Sequence, residues 1–421
     1  MGGGFQSGQL GDLRRLFALR STHIKKEIMS AHMPAPAVEK QPEQRPMAFP
    51  FLDLKTQFAG IKDEILAAVN RVFESQHFIL GPEVHNFETE VAAFVGSRFA
   101  IGCASGSDAL VLALMSLGIG PGDEVITTPF TFGATVGSIA RLQARPVFVD
   151  IDPVTYNIAT AQIPAAITRK TRAILPVHLF GLMAEMDAIL ESAHTAHVAI
   201  VEDAAQAIGA EWDGHVAGTL GAIGCFSFFP SKNLGGAGDG GMVTTNDAAL
   251  ADRLGILRVH GSRSKYSYEA VGMNSRLDSL QAAILRVKLR YLPTWTAARQ
   301  RNARRYRTMF LENGLEEYVQ LPGQDARHNH VYNQFVIRTP ERDALRRHLQ
   351  RAGIPTEIYY PFPLHLEPAF AHLGYTKGDF PQAEAACREV LALPIFAELT
   401  EGQQASVVAA VADFYSHKIT C

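Results

Sequence analysis

The sequence predicts an α/β protein in which helices cover both faces of a mostly parallel sheet. Between about residues 50 and 300, short runs rich in Val and Ile alternate with helical segments, which is the pattern of successive strand–helix units. Strands that are apolar on both sides belong inside such a sheet, because helices shield both of its faces from water. The strand-like runs are FAIGCA, DEVITTP, RPVFVDI, TRAILPVH and VAIVEDA.

The helical segments carry the apolar spacing that a packed helix needs. After FAIGCA, Leu110, Ala113, Leu114 and Leu117 recur at intervals of three and four residues and therefore share one helical face. Residues 275–314 predict a long helical segment. We expect it to break at Pro293, because proline lacks the N–H that a helix interior uses.

Two domains are expected, because 421 residues exceed what a single hydrophobic core usually holds. We place a large domain at 47–295 and a smaller C-terminal α+β domain at 296–421. The strand-like run VYNQFVIR, a helix through RDALRRHLQRAG, the run TEIYYP and a last helix at 401–416 indicate the second domain.

Residues 1–46 differ from the rest of the chain. They combine glycine and basic residues with a later stretch of proline and polar residues, and they contain Met29 and Met33, with Met47 directly after them. We expect a flexible extension; the alternative is an upstream start codon ahead of a body that begins near Met47. We assign no function to this segment.

Composition argues against several classes of partner. Lys and Arg number 39 and Asp and Glu 42, so a formal charge of −3 gives no field that would attract nucleic acid or an anionic membrane. The four cysteines are far apart and form no CxxC pair, which argues against a disulfide framework and a zinc site. This usage favours a reducing compartment, and we expect the cytoplasm.

Lys232 is the first candidate for chemistry. It lies in a loop of small residues, SKNLGGAGDGG, directly after the apolar run CFSFFP. Upstream, Asp203 and Gln206 follow the strand-like run VAIVEDA, at the edge where open α/β sheets bind ligands. A lysine that can form a Schiff base and an acid that keeps a ring nitrogen protonated indicate an aldehyde cofactor. Taken alone, Lys232 could be a solvated loop lysine and Asp203 a helix cap.

An anion site is expected at GCASGSDAL, where a strand ends and a helix begins. The free N–H groups of that helix attract anions, Gly106 lets the backbone approach a ligand, and Ser105 and Ser107 add hydroxyl groups. In PFTFGAT, Phe132 follows another strand and could stack on a flat ligand. Alone, the first motif could be an ordinary helix cap and Phe132 a core residue.

Other patterns receive no catalytic role. The glycines of LGGAGDGG do not fit a dinucleotide fingerprint, because MVTTND after them predicts a strand where the fingerprint needs a helix. We expect His178 to be a hydrogen-bonded residue at a strand end. His328 and His330 have no acid or cysteine at metal-ligand spacing, so no metal site is expected.

Taken together and in this order, the motifs resemble those of the DegT/StrS family of nucleotide-sugar aminotransferases. The resemblance covers about residues 47–421. It rests on FLDLKTQ, FILGPEV, SGSDAL, GDEVITTPFTF, VEDAAQAIGA, FSFFPSKN, GDGGMVTTND, NSRLDSLQAAIL, IYYPFPLH and LALPIFAELT. It implies a pyridoxal-phosphate-dependent transferase of fold type I that acts as a homodimer with shared active sites.

The resemblance also implies residue roles around the cofactor ring. Lys232 matches the lysine that binds pyridoxal 5'-phosphate as a Schiff base, and Asp203 matches the acid that pairs with the ring nitrogen. Gln206 matches a residue close to the ring, and Phe132 matches the aromatic residue that stacks on it.

For the cofactor's phosphate, the resemblance implies contributions from two subunits. Gly106, Ser107 and Ser227 match the phosphate-binding positions. Asn274 matches the asparagine that reaches the phosphate of the other subunit's cofactor, so a complete site would require the dimer.

Two segments depart from the family's pattern, and both are implied to affect the substrate. Many members have His-Tyr-Pro where this chain has Tyr359, Tyr360 and proline, and Asn-Tyr-Arg where it has Asn274, serine and Arg276. These variants resemble the branch that makes 3-amino sugars. We therefore take Arg276, Tyr359 and Tyr360 as candidate substrate residues.

The implied function is transfer of an amino group from L-glutamate to a nucleotide-linked keto-sugar, with a 3-keto sugar favoured. One alternative is a sugar dehydratase that uses the same cofactor, but such enzymes carry histidine where this chain has Lys232. A second alternative is a non-catalytic regulatory protein that has kept the fold. An NAD-dependent oxidoreductase does not fit, because the fingerprint is missing.

Overall fold

The structure is a computed structural model that describes residues 47–323 and 326–419. The extension expected at residues 1–46 lies outside the described residues. Among the described residues, none of the helices is both long and apolar enough to cross a lipid bilayer.

Strands and helices alternate through the first two thirds of the described chain. The strands are β1 (Phe99–Cys103), β2 (Glu124–Thr127), β3 (Arg145–Phe148), β4 (Thr171–Ile174), β5 (Ala199–Asp203), β6 (Glu211–Trp212), β7 (His215–Val216), β8 (Ile223–Ser227), β9 (Gly241–Thr245), β10 (Ser262–Ser264), β11 (Ser267–Tyr268), β12 (His328–Asn329), β13 (Phe335–Arg338) and β14 (Val390–Leu393). The α-helices are α1 (Leu54–Ser75), α2 (Pro82–Val95), α3 (Gly106–Ser116), α4 (Gly133–Arg141), α5 (Ile163–Ala166), α6 (Met186–Ala196), α7 (Ala248–Leu257), α8 (Ser279–Glu312), α9 (Arg342–Arg351), α10 (Pro381–Glu389) and α11 (Glu401–Ile419).

The central sheet has the strand order β1-β9-β8-β5-β4-β2-β3 within the described residues. The neighbours β2 and β3, β2 and β4, β4 and β5, and β5 and β8 are parallel. Only β9 runs the other way, antiparallel to both β1 and β8. The carboxyl ends of β1, β2, β4, β5 and β8 therefore meet at one edge, and the predicted α/β fold class is confirmed.

Helices cover both faces of this sheet because its strands are apolar on both sides. In β5, Ile200 packs with the helices α2, α6 and α8, whereas the next residue, Val201, packs on the opposite face with α3 and α7. Burial of each such side chain contributes roughly 1.5–3 kcal/mol. Val125 and Ile126 of β2 likewise pack on opposite faces of the sheet. A shift of one residue in the pairing register of β2 would move each side chain to the wrong face and is therefore costly.

The expected break at Pro293 is wrong, because α8 runs without interruption from Ser279 to Glu312. Proline inside a helix costs about 3 kcal/mol. Leu289, Leu292 and Trp295 are all buried on either side of it. Their burial offsets the loss and holds the helix in one piece.

The C-terminal part of the chain has a second core around the antiparallel pair β13 and β14. Phe335 and Ile337 of β13 pack with Leu345 of α9 and Val407 of α11. Helix α8 runs through residue 295 and also supplies Tyr306 to this core. The domain boundary placed between residues 295 and 296 stays a prediction.

Candidate functional site

A cavity of about 510 Å³ opens at the edge where the parallel strands end. Its walls come from the segments that follow β1, β2, β5 and β8, together with residues from the C-terminal part of the chain. The lining residues used below are Ser105, Gly106, Ser107, Thr131, Phe132, Thr135, Asp203, Gln206, Ser227, Phe229, Lys232, Gln334, Tyr359 and Tyr360. Nine of the eleven predicted site residues are in this set.

Asp203 is the last residue of β5 and lies buried against the cavity. Its Oδ2 accepts a hydrogen bond from the Thr135 hydroxyl at 2.8 Å, and its Oδ1 accepts one from the Ala205 N–H at 3.2 Å. Burial raises the pKa of the Asp203 carboxyl, while both hydrogen bonds and the nearby Lys232 charge lower it. A cation placed beside this carboxylate would stabilise it further.

Lys232 lies in the turn between β8 and β9, where its N–H donates to the Phe229 carbonyl at 2.8 Å. Burial lowers the pKa of the Lys232 amine to about 8, and attraction to Asp203 offsets part of that shift. A substantial neutral fraction near pH 8 makes the amine competent as a nucleophile and as a base.

The first turn of α3 offers the groups that the predicted anion site requires. Ser105 caps the helix, since its hydroxyl accepts from the Asp108 N–H at 3.1 Å. The preceding N–H groups, of Gly106 and Ser107, have no acceptor within a helix. A Cβ on Gly106 would lie 2.5 Å from the Ser227 Cβ, so only glycine lets these segments approach closely.

Gln206 and Tyr360 are joined across the cavity. The Phe180 N–H donates to Gln206 Oε1 at 2.7 Å, and Gln206 Nε2 donates to the Tyr360 hydroxyl at 3.0 Å. Burial raises the pKa of Tyr360, so its proton stays on the hydroxyl. Phe132 lies beside this pair, with its ring centre 6.3 Å from that of Tyr360 and its side chain 60% exposed.

Asn274 and Arg276 are the two predicted site residues that do not line the cavity of their own chain. Asn274 is exposed and makes a backbone bridge to Val259, and Arg276 is half-buried. The role implied for Asn274 concerns the cofactor of a second subunit, and both roles stay predictions.

Sequence reasoning missed Thr135 and Gln334. Thr135 stands in the same PFTFGAT string as Phe132, three residues on, so one helical turn would have placed it on the same side. Gln334 lies more than a hundred residues after Ser227, and its own segment shows no motif that would connect it to the cavity.

His178 is confirmed as a hydrogen-bonded residue at a strand end. Its Nδ1 accepts from the Ala184 N–H at 3.2 Å, so Nε2 carries the proton and donates to Glu202 at 2.9 Å. Within the residues that the structure describes, His, Cys, Asp and Glu side chains form no cluster that could hold a metal ion.

The donor set of the cavity fits pyridoxal 5'-phosphate. The buried Asp203 carboxylate suits a protonated ring nitrogen. The N–H groups at the start of α3 and the hydroxyls of Ser107 and Ser227 suit a phosphate. The Lys232 amine, with its lowered pKa, suits an aldehyde.

Comparison with known proteins agrees with this geometry. The profile of the DegT/DnrJ/EryC1/StrS aminotransferase family matches residues 59–412. A pleiotropic regulatory protein of Geobacillus stearothermophilus is 51% identical over 88% of this chain and 100% of its own length. A UDP-N-acetyl-3-dehydro-alpha-D-glucosamine 3-aminotransferase of Acidithiobacillus ferrooxidans is 46% identical, over 86% of this chain and 97% of its own.

A solved structure shows the same fold. The crystal structure of DesV from S. venezuelae, in complex with a ketimine intermediate, superposes with a TM-score of 0.85 at 44% identity. The superposition covers 88% of this chain and 99% of DesV.

Proposed function

The chain belongs to the DegT/DnrJ/EryC1/StrS aminotransferase family, and from that membership we propose that it transfers an amino group from L-glutamate to C3 of a nucleotide-linked 3-keto sugar. It is a pyridoxal-phosphate-dependent transaminase of fold type I. The position on the sugar is supported by the 46% identical relative, whose name specifies 3-amination of a UDP-linked sugar. The single observation that carries the chemistry is Lys232 facing the same cavity as Asp203.

Bound pyridoxal phosphate supplies an aldehyde that reacts with amines and a ring that accepts electrons. Asp203 holds a proton at the ring nitrogen, because a buried carboxylate stabilises the cation beside it. Gly106, Ser107 and Ser227 would bind the phosphate, and Phe132 would cover the ring and exclude water.

Lys232 acts as the base of both half-reactions. Its Nζ takes a proton from the α-carbon of the donor glutamate and, in the second half-reaction, gives a proton to the sugar carbon that receives the amino group. The lowered pKa suits this work, because an amine must be neutral to accept a proton.

On the substrate side, we propose contacts from Tyr359, Tyr360 and Arg276. The Tyr360 hydroxyl already accepts from Gln206, so its own proton is free to be donated to a sugar oxygen. Tyr359 lines the same wall. A large domain at 47–295 that binds the cofactor and a small domain at 296–421 that supplies the tyrosines belong to the same proposal.

A homodimer with shared sites is also proposed. Helix α1 and the turn after it expose Leu66, Phe73 and Ile79 at 44%, 52% and 58%, a run of apolar surface that a second copy of the chain could cover. Asn274, exposed on its own subunit, would then reach the partner's phosphate site.

Mixing two inactive variants tests this shared site. A heterodimer of Lys232→Ala and Asn274→Ala chains would contain one site with both residues intact and one with neither. We expect partial recovery of activity after the two variants are unfolded, mixed and refolded together. No recovery, with heterodimers present by mass, would contradict the shared site.

The visible absorption spectrum with and without L-glutamate tests the amino transfer. We expect a yellow protein that bleaches with glutamate and regains colour when a UDP-linked 3-keto sugar is added. Return of colour with 4-keto sugars only would move the reaction to C4. Lys232→Ala is the control that lacks the coloured linkage.

A regulatory function is the second candidate, because the 51% identical relative carries a regulatory name. A protein that bound pyridoxal phosphate but released no 2-oxo acid from L-glutamate or from any other amino donor would favour it. The dehydratase alternative is not favoured, since Lys232 is intact. A cytoplasmic location and a role in amino-sugar and polysaccharide biosynthesis are proposed with the transaminase; buried free thiols at Cys103, Cys225 and Cys387 suit a reducing compartment.

A further inference from the structure

The Asp203 carboxylate is held by a pair of threonines that no pattern in the sequence had assigned. The Thr135 hydroxyl lies 2.8 Å from Asp203 Oδ2, and the Thr131 hydroxyl lies 2.9 Å from that of Thr135. All three side chains are buried, and all three line the cavity. The three groups therefore form a continuous chain of hydrogen bonds that ends on the carboxylate.

The direction of this chain follows from the number of protons. An ionised carboxylate can only accept, so the single hydroxyl proton of Thr135 goes to Asp203. Thr135 has then no proton left for its neighbour, and Thr131 must be the donor in the bond between them. Each hydroxyl is polarised toward Asp203, which favours the ionised form of the carboxyl.

The groups near Asp203 considered next do not replace the Thr135 hydroxyl as a hydrogen-bond donor. His178 lies behind the carboxylate, but its ring proton goes to Glu202 and its backbone N–H goes to the Asp203 carbonyl oxygen. Lys232 contributes charge without a hydrogen bond to the carboxylate, and the amine is committed to the cofactor in the proposed reaction. Among the described residues, the carboxylate has one further donor, the Ala205 N–H at 3.2 Å.

We propose that Thr131 and Thr135 form a hydroxyl relay that positions the Asp203 carboxylate and keeps it ionised, so that it holds a proton on the cofactor's ring nitrogen. Thr135 and Thr131 are positioning residues, since they act through Asp203. The inference rests on the proposed role of Asp203 in the transaminase. It adds that two neutral residues set the strength of the interaction between Asp203 and the ring nitrogen. Thr131 lies one residue before Phe132, and Thr135 lies three residues after it in the first turn of α4.

Thr135→Val is the decisive variant, because valine keeps the shape and removes the hydroxyl. We expect the affinity for pyridoxal 5'-phosphate to fall about tenfold, within the range for a hydrogen bond to a charged group. With cofactor labelled by ¹⁵N at the ring, we expect the nitrogen resonance to move toward the unprotonated position. The kcat for amino transfer should fall about tenfold while KM for the keto-sugar changes less than twofold.

Two further variants test how the effect depends on each hydroxyl group. Thr131→Val removes only the outer donor, so its changes should have the same sign and be smaller. Thr135→Ser keeps the hydroxyl. Its cofactor affinity should stay within twofold of the wild-type value, and its nitrogen resonance should stay at the wild-type position. The serine variant also keeps the proposal testable if Thr135→Val fails to fold. A wild-type nitrogen resonance in Thr135→Ser together with a shifted resonance in Thr131→Val would still support the relay.

The relay is overturned if Thr135→Val and Thr131→Val both leave the nitrogen resonance and the cofactor affinity unchanged. A purely packing role for Thr135 predicts that outcome, since valine has the same β-branched shape. The two cofactor measurements need no sugar. Absence of amino transfer in the wild-type protein would therefore count against the proposed function and leave the test of the relay intact.

Discussion

The two walls of the cavity are built in different ways. The wall that would hold the cofactor consists of groups at the ends of sheet strands, such as Asp203 and the Gly106 turn, and these are buried and hydrogen-bonded to the scaffold. The second wall consists of loop residues from distant parts of the chain, Tyr359, Tyr360 and Gln334. In the proposed function, the chemical step would therefore depend on residues held by the sheet, and the choice of sugar would depend on residues in loops.

Exposure separates the two walls further. Tyr359, Tyr360 and Gln334 are half-buried at the cavity, as expected for side chains that a ligand would cover. Asp203, in contrast, is buried before any ligand binds. Substitutions on the first wall should therefore change kcat and cofactor binding, whereas those on the second should change KM for the sugar.

Lys232→Ala should give the largest effect, a loss of turnover of about 10⁴-fold, at the upper end of what general acid–base catalysis supplies. The variant loses both the nucleophile and the base, and the measurement is release of 2-oxoglutarate from glutamate. Lys288→Met is the matched control, since Lys288 is also buried with its pKa lowered to about 8, and its Nζ donates to the Gly235 carbonyl outside the cavity. Comparable losses in the two variants would contradict the assignment of Lys232.

Asp203→Asn should give the second-largest effect, a fall in kcat of roughly 10²–10³-fold, as for removal of one preorganised electrostatic group. The amide is neutral and cannot hold a proton on the ring nitrogen. Steady-state kinetics and cofactor affinity measure the change.

Asp150→Asn is the control for Asp203→Asn. Asp150 is also buried, but it accepts from the N–H groups of Gln382 and Ala383 at 2.9 Å, at the start of α10. Its substitution should lower the free energy of unfolding and leave kcat within about twofold. Equal losses of kcat in both variants would show that loss of stability explains the Asp203 result.

Tyr360→Phe tests the second wall and should act on KM for the keto-sugar. The variant keeps the ring and removes the hydroxyl that accepts from Gln206, and we expect KM to rise about tenfold with little change in the spectrum of bound cofactor. A fall in kcat with an unchanged KM would instead place Tyr360 on the chemical side of the cavity.

The same difference explains what the sequence could predict. Asp203, Gly106, Ser227 and Lys232 each follow an apolar strand, and parallel strands bring their carboxyl ends to one edge, so local patterns were enough to assemble them. The fold class followed from the same alternation.

Contacts made across long stretches of chain were harder to foresee. Gln334 has no local pattern that points to the cavity, and the bond between Thr135 and Asp203 joins two separate segments. Pro293 was misjudged for a related reason, because helix propensity is local while the burial of Leu292 and Trp295 depends on the rest of the fold. Asn274 is predicted to act across a subunit boundary, and Arg276 is predicted to contact the substrate.

The smallest effect concerns the proton on Lys232. Its pKa of about 8 is well below the ordinary value for lysine of about 10.4, so the neutral amine should appear as pH rises through 8. Competitive labelling of the apo-protein with a limiting amount of acetic anhydride, read by mass spectrometry, measures the neutral fraction of each lysine. Lys232 and Lys288 should both become reactive near pH 8, because burial lowers both pKa values.

The two lysines should then diverge in two ways. Addition of pyridoxal 5'-phosphate should protect Lys232 and leave Lys288 reactive, since only Lys232 lines the cavity. Attraction to Asp203 raises the pKa of Lys232, so Asp203→Asn should lower its midpoint further, whereas the charge that raises the pKa of Lys288 is Glu398 and its midpoint should stay. If the labelling midpoint of Lys232 were the same in Asp203→Asn as in the wild-type protein, the Asp203 carboxylate and the Lys232 amine would not be electrostatically coupled. The cofactor wall would then consist of two separate sites that share a cavity.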